Sequence, residues 1–213
     1  QSRTTYSYGG LRAEHASGAH PGSGRGLLGF RWMKSVEESS GVETYTEFSQ
    51  QWPHIGQVLK SETRLVKDGS TRLLKRNENT LGCYQSEGVT GGVKPGLATT
   101  GCAPWTAGKV YSPFVASSTE SSWDLDGTQM PTLFSQSLYA GYADQSGTVR
   151  QFGDPTQITV DISEGGVLKH RKLTTNQYQP AQTDGQNWQS GRLSRASVTS
   201  QIGGIRDFGY VRY

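Results

Sequence analysis

The residues with the clearest metal-binding character are two aspartates in a short acidic stretch from Asp124 to Gly127. Paired aspartates before a glycine open the calcium loop of an EF-hand, because carboxylate oxygens are ligands that Ca²⁺ prefers. The twelfth position of such a loop is Ser135 here, where the calcium site requires a bidentate glutamate. The sequence therefore predicts a turn at Asp126 and Gly127, with a weak calcium site built from loop carbonyls as the alternative.

Three glycines, Gly24, Gly26 and Gly29, have the spacing of the dinucleotide-binding G-x-G-x-x-G pattern. That pattern binds a pyrophosphate where it follows a strand and opens a helix, since the phosphate sits on the helix N-terminus. Here Phe30 and Trp32 follow in a segment that alternates as a strand does. We interpret the three glycines as turn residues and expect no cofactor and no metal.

The two cysteines, Cys83 and Cys102, enclose a glycine-rich stretch. The chain has no third or fourth thiol with which to complete a zinc site. A disulfide is the favoured interpretation, because closing a loop of about 20 residues contributes on the order of 3 kcal/mol through the unfolded state. Two reduced, buried cysteines are the alternative. A disulfide implies an oxidising compartment, so we expect an extracellular or cell-envelope location.

Patterns that indicate catalysis are missing. The histidines at positions 15, 20, 54 and 170 fit no metal-ligand motif, and no G-x-S-x-G nucleophile elbow occurs. The basic run from Lys169 to Lys172 is interpreted as a set of charges on an edge strand, which discourage aggregation. The net charge of +3 is spread along the chain, so nucleic acid is a poor candidate partner. We expect a protein without enzymatic activity.

The elements that would carry these residues are short strands. Hydrophobic residues make up 32% and charged residues 18% of the 213 positions, a mixture that suits extended strands joined by tight turns. Asp68 and Gly69 separate two alternating segments and predict a type I′ hairpin. Gly165 and Gly166 predict a second hairpin, with an antiparallel return strand over 167–178. No apolar run approaches the roughly 18 residues that a membrane-spanning helix needs.

Several spaced motifs carry a family resemblance. They lie at Tyr6 to Leu11, Gly24 to Trp32, and Gln51 to Gly56. In this order they resemble the middle region of the Rhs/YD-repeat superfamily, which includes the SpvB-type proteins and the B component of Tc insecticidal toxins. The stretches from Phe152 to Val160 and from Gly191 to Thr199 extend the resemblance to most of the chain.

The resemblance implies an all-β fold of antiparallel hairpins in a curled, YD-repeat-like sheet, rich in loops and with little or no helix. We divide the chain into Rhs-like hairpins (1–81), a disulfide-closed loop with a connecting strand (82–127), degenerate YD-repeat-like hairpins (128–200) and a terminal segment that forms a possible strand (201–213). Family members of this kind enclose a toxic domain. The resemblance therefore implies a non-enzymatic structural module that forms part of a shell around a toxin or effector.

One family feature is absent. Rhs cores that cleave themselves carry Asp-Pro followed by Gly-Leu, whereas Asp154 and Pro155 are followed here by Thr156 and Gln157. Self-cleavage is therefore not carried over to this chain. The expected partners are the remainder of a longer Rhs-like polypeptide or further copies of the same chain, with no membrane span.

Two alternatives remain open at this point. The first is a self-assembling surface or adhesive protein in which such modules stack through open edge strands into filaments. The second is a carbohydrate-binding module, for which Trp105, Trp123 and Trp188 near predicted loops would line the binding surface.

Overall fold

The computed structural model describes residues 3–14, 26–85, 102, 111–150, 152–182, 189–202 and 205–212. Within these ranges the chain forms strands and turns without a helix, and the sheets are antiparallel and not closed. The predicted all-β class is confirmed. In the described ranges no helix is long and apolar enough to span a membrane.

Fifteen strands are described. In chain order they are β1 (Thr4–Gly9), β2 (Arg12–Glu14), β3 (Gly26–Gly29), β4 (Trp32–Glu37), β5 (Val42–Phe48), β6 (Val58–Lys67), β7 (Ser70–Gln85), β8 (Tyr111–Ser122), β9 (Thr132–Leu138), β10 (Tyr142–Ala143), β11 (Val149–Arg150), β12 (Gln157–Glu164), β13 (Val167–Tyr178), β14 (Leu193–Ile202) and β15 (Ile205–Arg212).

Eleven of these strands are hydrogen-bonded in the order β1-β4-β5-β6-β7-β8-β9-β12-β13-β14-β15. The pairs β2-β3 and β10-β11 form two small sheets of their own. By its internal contacts the chain divides into two units. Unit 1 comprises Gln1–Asn79 and Thr119–Met130, and unit 2 comprises Thr80–Ser118 and Pro131–Tyr213.

Unit 1 is built on hairpins with local turn chemistry. Strands β6 and β7 are joined by Asp68 (φ 52°) and Gly69 (φ 70°). Both central positions have positive φ, as a type I′ turn requires, and the flanking residues Lys67 and Ser70 are cross-strand partners. The turn after β5 contains a cis Trp52–Pro53 peptide bond and the buried His54, whose Nδ1 lies 3.1 Å from Gln57 Oε1.

In unit 2, Gly165 and Gly166 join β12 to β13, which spans the predicted residues 167–178. Strand β13 pairs with β12 on one side and with β14 on the other. The interpretation of the basic run 169–172 as part of an edge strand is therefore wrong. Two of its charges are paired within the sheet: Lys169 lies 3.3 Å from Glu164, and Arg171 binds Asp161.

Buried apolar side chains are few. Leu28 in unit 1 and Cys83, Tyr84 and Ala181 in unit 2 are the buried hydrophobic residues of the described ranges. Buried polar or charged residues outnumber them: Glu43, Ser49, His54, Glu62, Asp144 and Asp161. Cross-strand side-chain pairs, each contributing about 0.2–1 kcal/mol, therefore carry much of the stabilisation of both units.

Candidate functional site

One face of unit 1 carries a network of charges that we call the charged ladder. Side chains alternate between the two faces of a strand, so residues at every second position share a face. The register pairs Glu43 with Arg64 and Glu62 with Arg76, which brings acidic and basic side chains together across three strands. The ladder consists of Lys34 on β4, Glu43 on β5, Lys60, Glu62 and Arg64 on β6, and Arg76 on β7.

Glu62 is the centre of the ladder, with a side chain that is 1% exposed. Arg76 Nε donates to Glu62 Oε1 at 2.8 Å, Arg64 donates to Oε2, and Lys60 Nζ lies 3.7 Å from Oε1. Burial raises the pKa of Glu62, but the hydrogen bonds from Arg64 and Arg76 and the nearby positive charges outweigh it. The pKa therefore lies below its ordinary value, and the carboxylate is ionised at neutral pH.

Glu43 extends the ladder toward β4. Its carboxylate lies 3.2 Å from Lys34 Nζ and accepts a hydrogen bond from Arg64 Nη1 at 3.3 Å. The Tyr45 ring lies beside these charges, with the guanidinium of Arg64 and the ammonium of Lys60 each 5.7 Å from its centroid. The ion pairs of Lys34 with Glu43, Arg64 with Glu43 and Arg76 with Glu62 each join two adjacent strands, so they favour the observed register.

The other face of the same strands carries small hydroxyl side chains. The register pairs Ser35 with Thr44 and Thr44 with Thr63, and it pairs Thr46 with Ser61. The same face also carries charged residues, because Lys75 is the cross-strand partner of Thr63 and Arg72 that of Leu65.

A turn that follows β8 forms the second notable feature of unit 1. Asp124 Oδ1 accepts from the backbone N–H of Leu125 at 2.6 Å, and Asp126 Oδ1 accepts from that of Thr128 at 2.7 Å. The backbone N–H of Thr128 is the main reason why the pKa of Asp126 is lowered. Asp126 and Gly127 thus lie in a turn that joins the antiparallel bridge between Trp123 and Gln129.

This turn borders a cavity of about 490 Å³. Arg72 and Leu73 of β7 line it together with the segment from Trp123 to Gly127, and the Arg72 guanidinium donates to the Leu125 carbonyl oxygen. In the part of the chain that the structure describes, no group of three or more His, Cys, Asp or Glu side chains is placed to hold a metal ion. The aspartates instead order the turn.

In unit 2 an aromatic cluster adjoins the disulfide. Cys83 and Cys102 are bonded, with their Cα atoms 5.6 Å apart. The ring centroids of Tyr84 and Phe114 are 4.9 Å apart, and those of Phe114 and Tyr139 are 4.5 Å apart. Burial raises the pKa of Tyr84 to about 12, and its hydroxyl donates to the Tyr139 carbonyl. This cluster holds the end of β7 beside β8.

Asp154 belongs to a second cluster in unit 2. The Tyr142 hydroxyl donates to Asp154 Oδ2 at 2.7 Å and accepts from the Gly191 backbone N–H at 2.7 Å. Burial raises the pKa of Tyr142. The carbonyl of Pro155 accepts from the Tyr178 hydroxyl at 2.8 Å. The Asp-Pro pair is thus held by side chains of the sheet.

Sequence reasoning missed one pairing with chemical interest. His170 Nε2 lies 3.0 Å from Ser200 Oγ, across the β13-β14 pair. The arrangement differs from a Ser-His-Asp triad, because the nearby Asp161 alternates to the other face and binds both Nε and Nη2 of Arg171, at 2.7 and 2.6 Å. The hydrogen bonds from Arg171 lower the pKa of Asp161. Only the strand register could have revealed this pairing.

The remaining sequence-predicted site residues lie at the ends of a strand, in a turn or outside the described part of the chain. Gly26 and Gly29 bound β3 and have φ of 69° and 84°, and Gly127 has φ of 91°. Gly24, Trp105 and Trp188 fall outside the described residues.

The architecture defines an all-β protein built on an open antiparallel sheet. The fold is similar to that of the solved crystal structure of TcdB2-TccC3, with a TM-score of 0.57 and 11% identity over 96% of this chain and 13% of that chain. A mutated form of the Photorhabdus luminescens Tc holotoxin pore is similar too, with a TM-score of 0.58 and 10% identity over 95% of this chain and 12% of that chain.

The chain thus spans 13% and 12% of the lengths of these two solved chains. No protein-family model matches the sequence, and no curated protein matches it. At identities this low the similarity is one of fold.

Proposed function

We propose that this chain is a structural wall segment of an Rhs/YD-repeat protein and forms part of a shell that encloses a toxin or effector. The observation that carries the proposal is the fold similarity to TcdB2-TccC3, which covers 96% of this chain and 13% of the much longer one. Because the chain corresponds in fold to a small part of a much longer chain, we expect it to form one section of the shell and not the whole shell.

The construction of the sheet supports this proposal. Strands β1 and β15 stand at the two ends of the strand order, and an end strand offers backbone N–H and C=O groups to a further strand. The described residues bury few apolar side chains, so the sheet gains stability when neighbouring segments continue it. The expected partners are therefore the rest of a longer polypeptide.

The charged ladder supports a mechanical role over a chemical one. Glu43 binds Arg64 and Glu62 binds Arg76, in each case across two adjacent strands, which favours one strand register as a wall requires. We therefore propose a protein without enzymatic activity. The disulfide between Cys83 and Cys102 fits an extracellular or cell-envelope location.

Electron microscopy of the purified polypeptide that carries this chain tests the proposal. Closed hollow particles, together with protection of an enclosed domain from added protease, are the expected result. Filaments or extended sheets would favour the alternative of a self-assembling surface protein. Solid particles without an internal cavity would contradict both assignments.

A further inference from the structure

The shell proposal assigns no role to the cavity beside Trp123, whose lining combines apolar side chains with charged ones. Its volume of about 490 Å³ lies within the range of roughly 300–1,000 Å³ that is usual for small-molecule pockets. We infer that this cavity, lined by Arg72, Leu73 and the segment from Trp123 to Gly127, binds an uncharged carbohydrate. The inference is independent of the shell proposal.

The apolar part of the lining suits one face of a sugar ring. Trp123 is half-buried and Leu125 is 55% exposed, so the indole and the leucine side chain present an apolar surface that water still reaches. A pyranose carries its C–H groups on the flat faces of the ring and its hydroxyls around the edge. Packing a C–H face on the indole removes apolar surface from water on both partners.

The polar part of the lining suits hydroxyl groups. A sugar hydroxyl both donates and accepts, so its site needs donors and acceptors side by side. The Arg72 guanidinium has five N–H donors, one of which binds the Leu125 carbonyl and holds the group in place. The carboxylates of Asp124 and Asp126 supply acceptors, and each is fixed through one oxygen by a backbone N–H of the turn.

The charges of the lining argue against an anionic ligand. Two carboxylates stand against one guanidinium, so an anionic ligand such as a phosphate or a sulfated sugar meets a net repulsion. An uncharged polyol with an apolar face satisfies all three groups at once.

Binding of the chain to an array of neutral and acidic oligosaccharides tests the inference, followed by titration with the free neutral sugars that bind. The variants are Trp123→Ala, Arg72→Gln and Asp126→Asn, the last of which keeps the oxygen that caps the turn. Trp52→Ala and Arg12→Gln are the matched controls, because Trp52 and Arg12 do not line the cavity. Circular dichroism establishes that each variant is folded.

We expect the wild-type chain and both controls to bind at least one neutral oligosaccharide. Loss of stacking in Trp123→Ala should weaken the affinity by about tenfold, which corresponds to roughly 1.4 kcal/mol. Arg72→Gln and Asp126→Asn should each weaken it by about threefold to tenfold. Failure to bind any neutral sugar, a preference for acidic glycans, or full affinity in folded Arg72→Gln and Asp126→Asn would overturn the inference. Electron microscopy tests the shell proposal and sugar binding tests this inference, so either one can be refuted without the other.

Discussion

Replacing Glu62 by Gln removes the central charge of the ladder while keeping the shape of the side chain. Glu62 is 1% exposed, and its three cationic neighbours have side chains that are 31–40% exposed. Breaking a fully buried ion pair costs about 3–5 kcal/mol, whereas an exposed pair is worth about 0.2–1 kcal/mol. In the variant the partly exposed cations remain hydrated, and Arg64 still pairs with Glu43. We therefore expect the free energy of unfolding to fall by about 2 kcal/mol.

Urea unfolding followed by tryptophan fluorescence measures this loss. With a slope of about 2 kcal/mol per molar urea, the midpoint should fall by about 1 M at pH 7. The matched control is Glu120→Gln, because Glu120 and its partner Lys75 also lie in unit 1 but are 39% and 50% exposed. That variant should stay within about 0.5 kcal/mol of the wild type.

The pH dependence gives a second test of the same reasoning. The pKa of Glu62 is lower in the folded chain than its ordinary value of 4.5, so its contribution is fully present above pH 4.5 and is lost as the pH falls through the folded pKa. The difference between the wild type and Glu62→Gln should therefore shrink below pH 4.5. A loss equal to that of the control, or one that is the same at pH 7 and in acid, would refute the ladder as a stabilising network.

Two further predictions concern the backbone and the disulfide. Gly41→Ala should lower the thermal unfolding midpoint by more than Gly69→Ala does. Both glycines have φ near 70°, so the backbone strain of an alanine is similar at the two positions. A Cβ at Gly41 would lie 2.3 Å from the Val66 carbonyl oxygen, whereas a Cβ at Gly69 would meet open space. Equal losses would contradict the steric argument. The double variant Cys83→Ser with Cys102→Ser should lower the free energy of unfolding by roughly 3 kcal/mol, because the disulfide no longer constrains the unfolded chain. Urea unfolding measures this change, and an unchanged midpoint would show that the disulfide does not stabilise the fold.

Local turn chemistry made part of the fold predictable. The Asp68-Gly69 hairpin follows from the positive φ that a two-residue turn requires, which few residue types adopt easily. The return strand β13 over 167–178 follows from Gly165 and Gly166 in the same way. Such signals act within a few residues, so the sequence contains all that is needed to interpret them.

Strand order was harder to predict. The basic run of β13 was assigned to an edge, but β14 covers the side of β13 that β12 leaves open. Likewise β12 pairs with β9, while β10 and β11 pair with each other. Charged side chains indicate contact with water on a face, and they do not reveal whether the backbone edge of the strand is paired.

Alternation and turn residues act locally, so the all-β fold class, the hairpin turns and most of the strand positions follow from the sequence. Which side chains meet depends on the tertiary structure. Glu62 meets Arg76 because the two residues are cross-strand partners. Strand β7 has one extra residue between the partners of Thr63 and Arg64, and this bulge decides which residues of β7 after it lie on the ladder face. Arg72, far away in sequence, lines the cavity at Trp123 and donates to the Leu125 carbonyl. These contacts depend on the summed geometry of several strands, which no short stretch of sequence encodes.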